Sequence, residues 1–387
     1  MAVGSFPGCL ALGLAHKMLE MLHLLDPASW PHLQRWLAQH GQPAFRALQI
    51  RKWIFEGRAA SFEAMTDLPK QLRADLAAEF ALWTMQVVRH QTSRDGTEKL
   101  LLAVAGSRSE AAGEPSAMDR IECVLLRDGE RRSICISSQV GCAMGCVFCA
   151  SGLDGVERNL TSGEIVEQML LLQRLLPPEE RLSHIVVMGM GEPLANLDHL
   201  LPALDEASDP AGLGISHRRI TISTVGLPKQ IHRLCERNTR YHLAVSLHAP
   251  TDELRNRIVP VNKNIGLAEI LAAADRYFDV SGRRLTFEYV LLAGINDQPL
   301  HARQLVELLR GRTALVNVIP YNAVAGLPYA TPSPAAIARF REILVAGGLN
   351  VRFRQRKGDE IEAACGQLRR SASPLATIGS APQPSHG

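Results

Sequence analysis

The sequence predicts an α/β chain built on a parallel sheet covered by helices, either open or curled into a barrel. Three observations carry this expectation. Strand-like and helix-like segments alternate over most of the chain, the strand-like runs are almost continuously apolar, and the residues able to do chemistry fall just after those runs. Strands buried on both faces read as apolar runs, and regular alternation with helices implies parallel pairing. Such sheets bind ligands at the C-terminal ends of their strands, so the placement points to an enzyme.

Taken in order, the first eighty or so residues read as helices. FRALQIRKWIFEG has apolar residues at helical spacing and stops at Gly57, and LPKQLRADLAAEFALW follows with Pro69 near its start. From about Gln91 the period changes. KLLLAV and IECVLL read as strands, joined by GSRSEAAGEPSAMD, a small, polar linker expected to be mobile. The strand runs that follow are SICISS (133–138), HIVVMGM (184–190), ITIST (220–224), LAVSLHA (243–249), LTFEYVLL (285–292), LVNVIPY (315–321) and NVRFR (350–354). Between them lie a helix opened by Thr161 and Glu164 in capping-box spacing, then LPKQIHRLCER, LAEILAAADRYF, HARQLVELLRG and SPAAIARFREILVAGG. The final SASPLATIGSAPQPSHG has no periodicity and reads as disordered.

At 387 residues the chain can bury one large core and a smaller one. No apolar run reaches the roughly 18 residues of a membrane span, and the start lacks the basic stretch of a secretory leader, so a cytoplasmic protein without membrane contact is expected. The eight cysteines are unevenly spaced, which suits metal and redox chemistry better than a disulfide framework. A net charge of +3 does not announce nucleic acid. Locally, Arg218 and Arg219, then Arg352, Arg354, Arg356 and Lys357, and finally Arg369 and Arg370 form basic patches; on charge alone these fit solvated strand and helix ends.

VGCAMGCVFCASG places Cys142, Cys146 and Cys149 in a C-x3-C-x2-C spacing. Closed structural zinc sites take four ligands, whereas three thiolates can hold three irons of a [4Fe–4S] cube and leave the fourth open. A zinc site completed by Cys135 or a histidine is the competing reading. The spacing, with Phe148 before the last cysteine, resembles the radical S-adenosylmethionine enzymes, whose usual fold is a partial (β/α)6 barrel. That resemblance implies S-adenosylmethionine on the open iron and, after one-electron cleavage, a 5′-deoxyadenosyl radical. GMGEP, ending a strand, then offers glycines for close backbone approach and Glu192 for the cofactor ammonium.

A narrower resemblance is spread along the chain. SSQVGCAMGCVFCASG, RNLTSGEIVEQ, VVMGMGEPLANLD, ITISTVGL, AVSLHAPTDELRNRIVPVNK, EYVLLAGIND, NVIPYN and KGDEIEAACGQLR together resemble the RlmN/Cfr family of RNA adenosine methyltransferases, from about Pro43 to Arg369. The implied layout is an N-terminal helical accessory domain (1–90), the radical SAM barrel with a catalytic C-terminal segment (91–369) and a tail (370–387). The implied site has Cys142, Cys146 and Cys149 on the cluster. Gly191, Glu192, Ser223, Ser246, Leu247, His248 and Asn322 contact S-adenosylmethionine, with His248 also readable as a core histidine acting through its backbone. Cys365 is S-methylated, Cys135 is the second catalytic cysteine and Glu122 is the proton acceptor.

This chemistry gives the two extra cysteines work. Adenine C2 or C8 is electron-poor and does not attack a sulfonium methyl group, but a carbon radical on methylated Cys365 can add to it. Cys135 then forms a disulfide with Cys365 and frees the RNA, while a carboxylate removes the ring proton. The resemblance implies methylation of adenine C2 in 23S ribosomal RNA at the peptidyl-transferase centre, transfer RNA as a further substrate, and a reductant such as flavodoxin or ferredoxin. C8 methylation of the same adenosine, conferring antibiotic resistance, is the alternative; a radical enzyme of small metabolites and a non-catalytic zinc RNA-binding protein are the others. With RNA expected near Cys365, the basic run VRFRQRK reads as a phosphate contact. The 105–119 loop looks longer than usual for the family, and the first forty residues and the tail have no counterpart in it.

Overall fold

The computed structural model describes residues 21–104, 120–237, 240–354 and 358–368. The expected mobile loop, the tail, Cys9, Arg356, Lys357, Arg369 and Arg370 lie outside them.

A short pair, β1 (Leu22–His23) and β2 (Phe80–Ala81), brackets three helices, α1 (Trp30–Gln39), α2 (Phe45–Phe55) and α3 (Lys70–Glu79). They close over Leu33, Leu37, Ile50, Ile54, Leu72 and Leu76, all buried. This unit is docked to the rest through Glu167, whose fully buried carboxylate accepts hydrogen bonds from the Thr84 and Met85 amides and lies 3.2 Å from His23.

Ten described strands then form one sheet, in the order β14-β13-β12-β11-β10-β9-β6-β5-β4-β3. Its antiparallel flank is β3 (Met85–Thr92), β4 (Glu98–Val104), β5 (Arg120–Asp128) and β6 (Arg131–Cys135). From β6 onward every pairing is parallel and in chain order: β9 (His184–Val187), β10 (Ile220–Thr224), β11 (His242–Ser246), β12 (Leu285–Leu291), β13 (Ala314–Pro320) and β14 (Asn350–Phe353). A separate hairpin, β7 (Gln139–Gly141) and β8 (Val156–Asn159), follows β6. The crossovers are α4 (Ser162–Gln173), α5 (Leu197–Ser208), α6 (Pro228–Glu236), α7 (Asp252–Ile258), α8 (Leu267–Ser281), α9 (Pro299–Leu309) and α10 (Pro334–Ala346).

The two faces of the parallel part differ. Ile185, Val187, Ile220, Ile222, Leu243, Val245, Phe287 and Val318 are buried under the helices. The intervening residues, Cys135, Thr221, Ser223, His242, Ser246, Glu288 and Asn317, form a polar inner face, because neighbouring parallel partners share a side. The sheet curls around that face. Past its last strand, Gly358 N–H donates to Asp95 Oδ2 (2.9 Å) and Glu362 O accepts from Lys99 Nζ (3.1 Å), so the segment after β14 reaches the far flank. This is the expected α/β architecture, a curled parallel sheet preceded by a helical unit.

The capping box at Thr161 is present, with Thr161 N donating to Glu164 Oε2 at 2.8 Å. The sequence reading omitted α5, interrupted by Pro202, the seven-residue α7, the β7–β8 hairpin and β3. A proline in its middle, or a length of only two turns, removes the periodicity on which such a reading depends. Among the described residues no helix is long and apolar enough to cross a membrane.

Candidate active site

The three-cysteine loop joins β7 to β8 at the C-terminal mouth of the sheet. Cys142 N–H donates to Gly155 O (2.8 Å) and closes the hairpin, while Val147 N–H ties the loop to Ile258 O at the end of α7 (3.1 Å). Cys142, Cys146 and Cys149 all line a cavity of ≈ 140 Å³. Burial pushes the Cys142 thiol up to about 12, and it raises Cys146 and Cys149 as well. Such thiols ionise readily only beside a compensating cation. Among the described residues, no three metal-ligating side chains converge on a single ion. Cluster ligands bind separate irons, so three thiols lining one cavity can each take one iron of a [4Fe–4S] cube.

The rest of the wall comes from successive strand ends: Gly191 and Glu192 after β9, Ser223 on β10, Ser246 and His248 at β11, and Asn322 after β13. Two glycines there are dictated by space. A Cβ on Gly189 would meet Ile136 O at 2.7 Å, and Gly191, at φ +102°, would place one 2.6 Å from Gln139. The buried Glu192 carboxylate accepts from Val225 N (2.9 Å) and Leu194 N (3.1 Å); burial raises it to about 7 against those donors. Ser223 and Ser246 face one another at 3.4 Å between hydroxyl oxygens. His248 sits at φ +60°, accepts from Val290 N at Nδ1 (3.1 Å) and packs edge-on against Phe148; burial pushes it down to about 3, so it is neutral. The Leu247 side chain is core, and its amide donates to Glu288 O (2.9 Å). Asn322 Nδ2 donates to Cys365 O (3.2 Å), whereas its Oδ1 is buried without a partner among the described residues. Three thiols, two glycine approaches and this orphaned oxygen fit a cluster with a polar ligand beside it.

Cys365 also lines the cavity. Its segment is pinned to the cysteine loop, Ala150 N donating to Gly366 O (2.8 Å) and Ser151 Oγ to Leu368 O (2.7 Å). Cys135, at the end of β6, lies outside the cavity wall. Burial pushes its thiol up to about 12; an ionised Cys365 would raise it further and the Arg354 guanidinium opposes the rise. Both cysteines are free thiols. Glu122 lies on the same inner face as Cys135, since Val124 pairs with Cys135 in the β5–β6 register. Its carboxylate is 2.8 Å from Lys99 Nζ, with side chains 6% and 4% exposed.

One expectation is corrected. Arg354 is not an outward phosphate contact: its Nη1 lies 3.8 Å from Cys365 Sγ, and the charges of Cys365 and Glu288 raise its pKa. Arg352, two residues back, is exposed. The site also contains groups the sequence reading passed over. Glu288 lines the cavity, is bound by Asn317 Nδ2 (2.7 Å) and is raised to about 7 by burial. Fully buried Arg255 donates to the carbonyls of Ser246, Leu247 and Val225 beneath Cys146. A glutamate inside the apolar run LTFEYVLL was the available signal for the first; nothing local marks Arg255.

At the opposite, N-terminal end of the strands stands a cationic rim. Arg131, Arg219 and Arg283 carry the charge, with His184 and His242 between them; the five lie on or just before neighbouring strands β6, β9, β10, β11 and β12. Burial, then Arg131, Arg219 and His242, pushes His184 down to about 4, and Arg283 Nη2 is 2.6 Å from His242 Nε2.

Residues 23–82 match the ribosomal RNA large subunit methyltransferase N-terminal domain, which overturns for residues 23–40 the expectation that the first forty have no counterpart in the family, and residues 136–306 match the radical SAM superfamily. A probable dual-specificity RNA methyltransferase RlmN of Rhodopirellula baltica is 65% identical over 349 residues, covering 90% of this chain and 91% of that protein. Its counterpart from Symbiobacterium thermophilum is 46% identical over 87% of this chain and 88% of its own. The crystal structure of a radical SAM methyltransferase from Sphaerobacter thermophilus superposes with a TM-score of 0.84 at 41% identity, covering 90% of this chain and all of that one.

Proposed function

Since this chain belongs to the RlmN family of radical S-adenosylmethionine RNA methyltransferases, we propose that it methylates adenine at C2 in 23S ribosomal RNA, with transfer RNA as a second substrate. The observation that carries the reading is Cys365 in the wall of the same cavity as Cys142, Cys146 and Cys149. A methyl carrier and an open cluster must share a site if the carried methyl group is to become a radical.

When bound, the [4Fe–4S] cluster and S-adenosylmethionine supply a methyl group and the one-electron chemistry that activates it. Cys142, Cys146 and Cys149 hold the cluster. Gly191, Glu192, Ser223, Ser246, Asn322 and the backbone of Leu247 and His248 surround the cofactor. Cys365 carries the methyl carbon as a thioether and presents it to the base. Glu122 accepts the proton from the substituted ring carbon, and the unpaired electron left on the ring would leave to the one-electron acceptor that the bound cluster supplies. The Cys135 thiolate then attacks the Cys365 sulfur. A sulfur–sulfur bond forms as the carbon–sulfur bond breaks, the electron pair leaves with the methylene carbon, and that carbon takes a proton to become methyl. Arg354 stabilises the attacking thiolate against its burial. The resulting disulfide requires an external reductant, and flavodoxin or ferredoxin suits the electron supply.

The cationic rim of Arg131, Arg219 and Arg283, with exposed Arg352, holds phosphates while the target base, unstacked from its neighbours, extends along the polar inner face toward Cys365. The helical unit within residues 1–90 acts as an accessory domain to the catalytic barrel of 91–369, and the enzyme works in the cytoplasm. The test is mass spectrometry of nucleosides from RNA treated with the purified enzyme. 2-Methyladenosine supports the reading, and 8-methyladenosine replaces it with the C8 activity.

A further inference from the structure

Glu122 and Lys99 form an ion pair in the interior of the sheet, 2.8 Å apart and almost fully buried. Burying two charges is costly, and an apolar pair of similar volume commonly does as well or better for stability. The pairing therefore needs another reason. The geometry supplies one. Lys99 pairs with Val124 and Leu101 with Glu122, so Lys99 and Glu122 are diagonal neighbours on one face of adjacent strands. The same ammonium donates to Glu362 O at 3.1 Å, three residues before Cys365. That segment is fixed on its other side by Ala150 and Ser151 of the cysteine loop.

We propose that Lys99 is a positioning residue for proton removal, setting the Glu122 carboxylate relative to the carbon carried on Cys365. The inference rests on the reading of Glu122 as the base. The bond to be broken is the C–H bond of the ring carbon already joined to the Cys365 methylene. Its electron pair stays in the ring, the proton passes to a Glu122 oxygen, and the surplus unpaired electron leaves to the one-electron acceptor that the bound cluster would supply. Base and sulfur come from distant parts of the chain, β5 and the segment after β14. One ammonium that touches both the carboxylate and the backbone next to the sulfur fixes their separation. It also sets a positive charge directly against the carboxylate inside a dry wall.

The experiment uses cluster-loaded Lys99→Met and Lys99→Arg enzymes on RNA carrying either hydrogen or deuterium at the substituted ring carbon. In Lys99→Met the methylation of Cys365, read by protein mass spectrometry, should persist. RNA turnover should fall by about 100-fold, the lower end of what a placed acid–base group contributes, and a primary deuterium isotope effect should emerge. Lys99→Arg should restore most of the rate and suppress the isotope effect. Loss of rate with an unchanged isotope effect would mean that Lys99 is only structural, and an unaffected rate would also overturn the proposal. If Lys99→Met does not fold, Lys99→Gln, which keeps a hydrogen-bond donor without charge, is read by the same two criteria. Glu122→Gln is run in parallel. Should it turn over normally, the reading of Glu122 as base falls; should only the Lys99 variants do so, that reading stands and this proposal alone is lost.

Discussion

The proposed function uses two groups of cysteines, and the fold builds them in opposite ways. Cys142, Cys146 and Cys149 sit within eight positions on one loop, and the β7–β8 hairpin presents them together. Cys135 and Cys365 are separated by most of the barrel and meet only because the sheet curls until the segment after β14 reaches its first strands. The first group is a local device whose spacing is its function. The second is a product of the whole fold, and Arg354, which lies close to Cys365 in sequence, reaches Cys135 only through that fold.

The largest effect separates the two groups outright. Cys146→Ala removes one of three protein ligands and should abolish both the iron–sulfur chromophore and all methylation, as read by absorbance, iron content and nucleoside analysis. Full iron and activity in that variant would end the ligand assignment. Substitutions in the second group should leave the chromophore intact. Cys365→Ala should block methylation with no RNA bound, whereas Cys135→Ala should trap itself on RNA as a covalent adduct. That adduct should survive denaturing electrophoresis, vanish with nuclease, require S-adenosylmethionine and be absent from the double variant. Normal turnover by Cys135→Ala, or an adduct on Cys365→Ala, would show that the roles are exchanged.

A smaller effect sharpens the contrast through electrostatics. Burial raises Cys135 to about 12, and Arg354 acts against that rise. Removing the guanidinium in Arg354→Met raises the thiol further and lowers the thiolate fraction at neutral pH. A thiol whose pKa climbs by about 1 loses roughly nine-tenths of its thiolate there. The covalent adduct should therefore persist about tenfold longer at neutral pH and be resolved faster as pH increases. An adduct lifetime independent of pH in both enzymes would remove Arg354 from this role. The smallest effect lies far from either group. Arg131→Ala should weaken RNA binding modestly and lower the salt-dependence slope by about 1, if that residue meets one phosphate. An unchanged slope would make the rim structural.

How much the sequence reveals follows the same division. The cysteine loop, the capping box at Thr161 and the glycines of GMGEP are legible because their chemistry lies within a few residues. The parallel sheet is legible because β9 to β13 are apolar runs between helices. Lys99 was hidden in KLLLAV, a strand pattern in which a leading lysine looks solvated, yet the curl of the sheet buries it. Arg354 was misplaced for the same reason: in RFRQRK it belongs to a basic run, and only the register of β14 turns it toward Cys365. Burial of a charge depends on what crosses over it, and that is decided by segments far away in sequence.

The seam between the segment after β14 and the β3–β4 turn has a consequence for how the protein is made. Asp95 and Lys99 each leave the ribosome 263 residues before their partners at Gly358 and Glu362. Pairings of such long sequence separation form late, because the intervening chain must first be ordered. Ala150 and Ser151 likewise wait for Gly366 and Leu368, so the cysteine loop reaches its final fixed form only when the same late segment arrives. Closing that seam is thus the late event that brings the Lys99 ammonium, with Glu122 beside it, against the segment carrying Cys365, and every part of the site then falls into register at once.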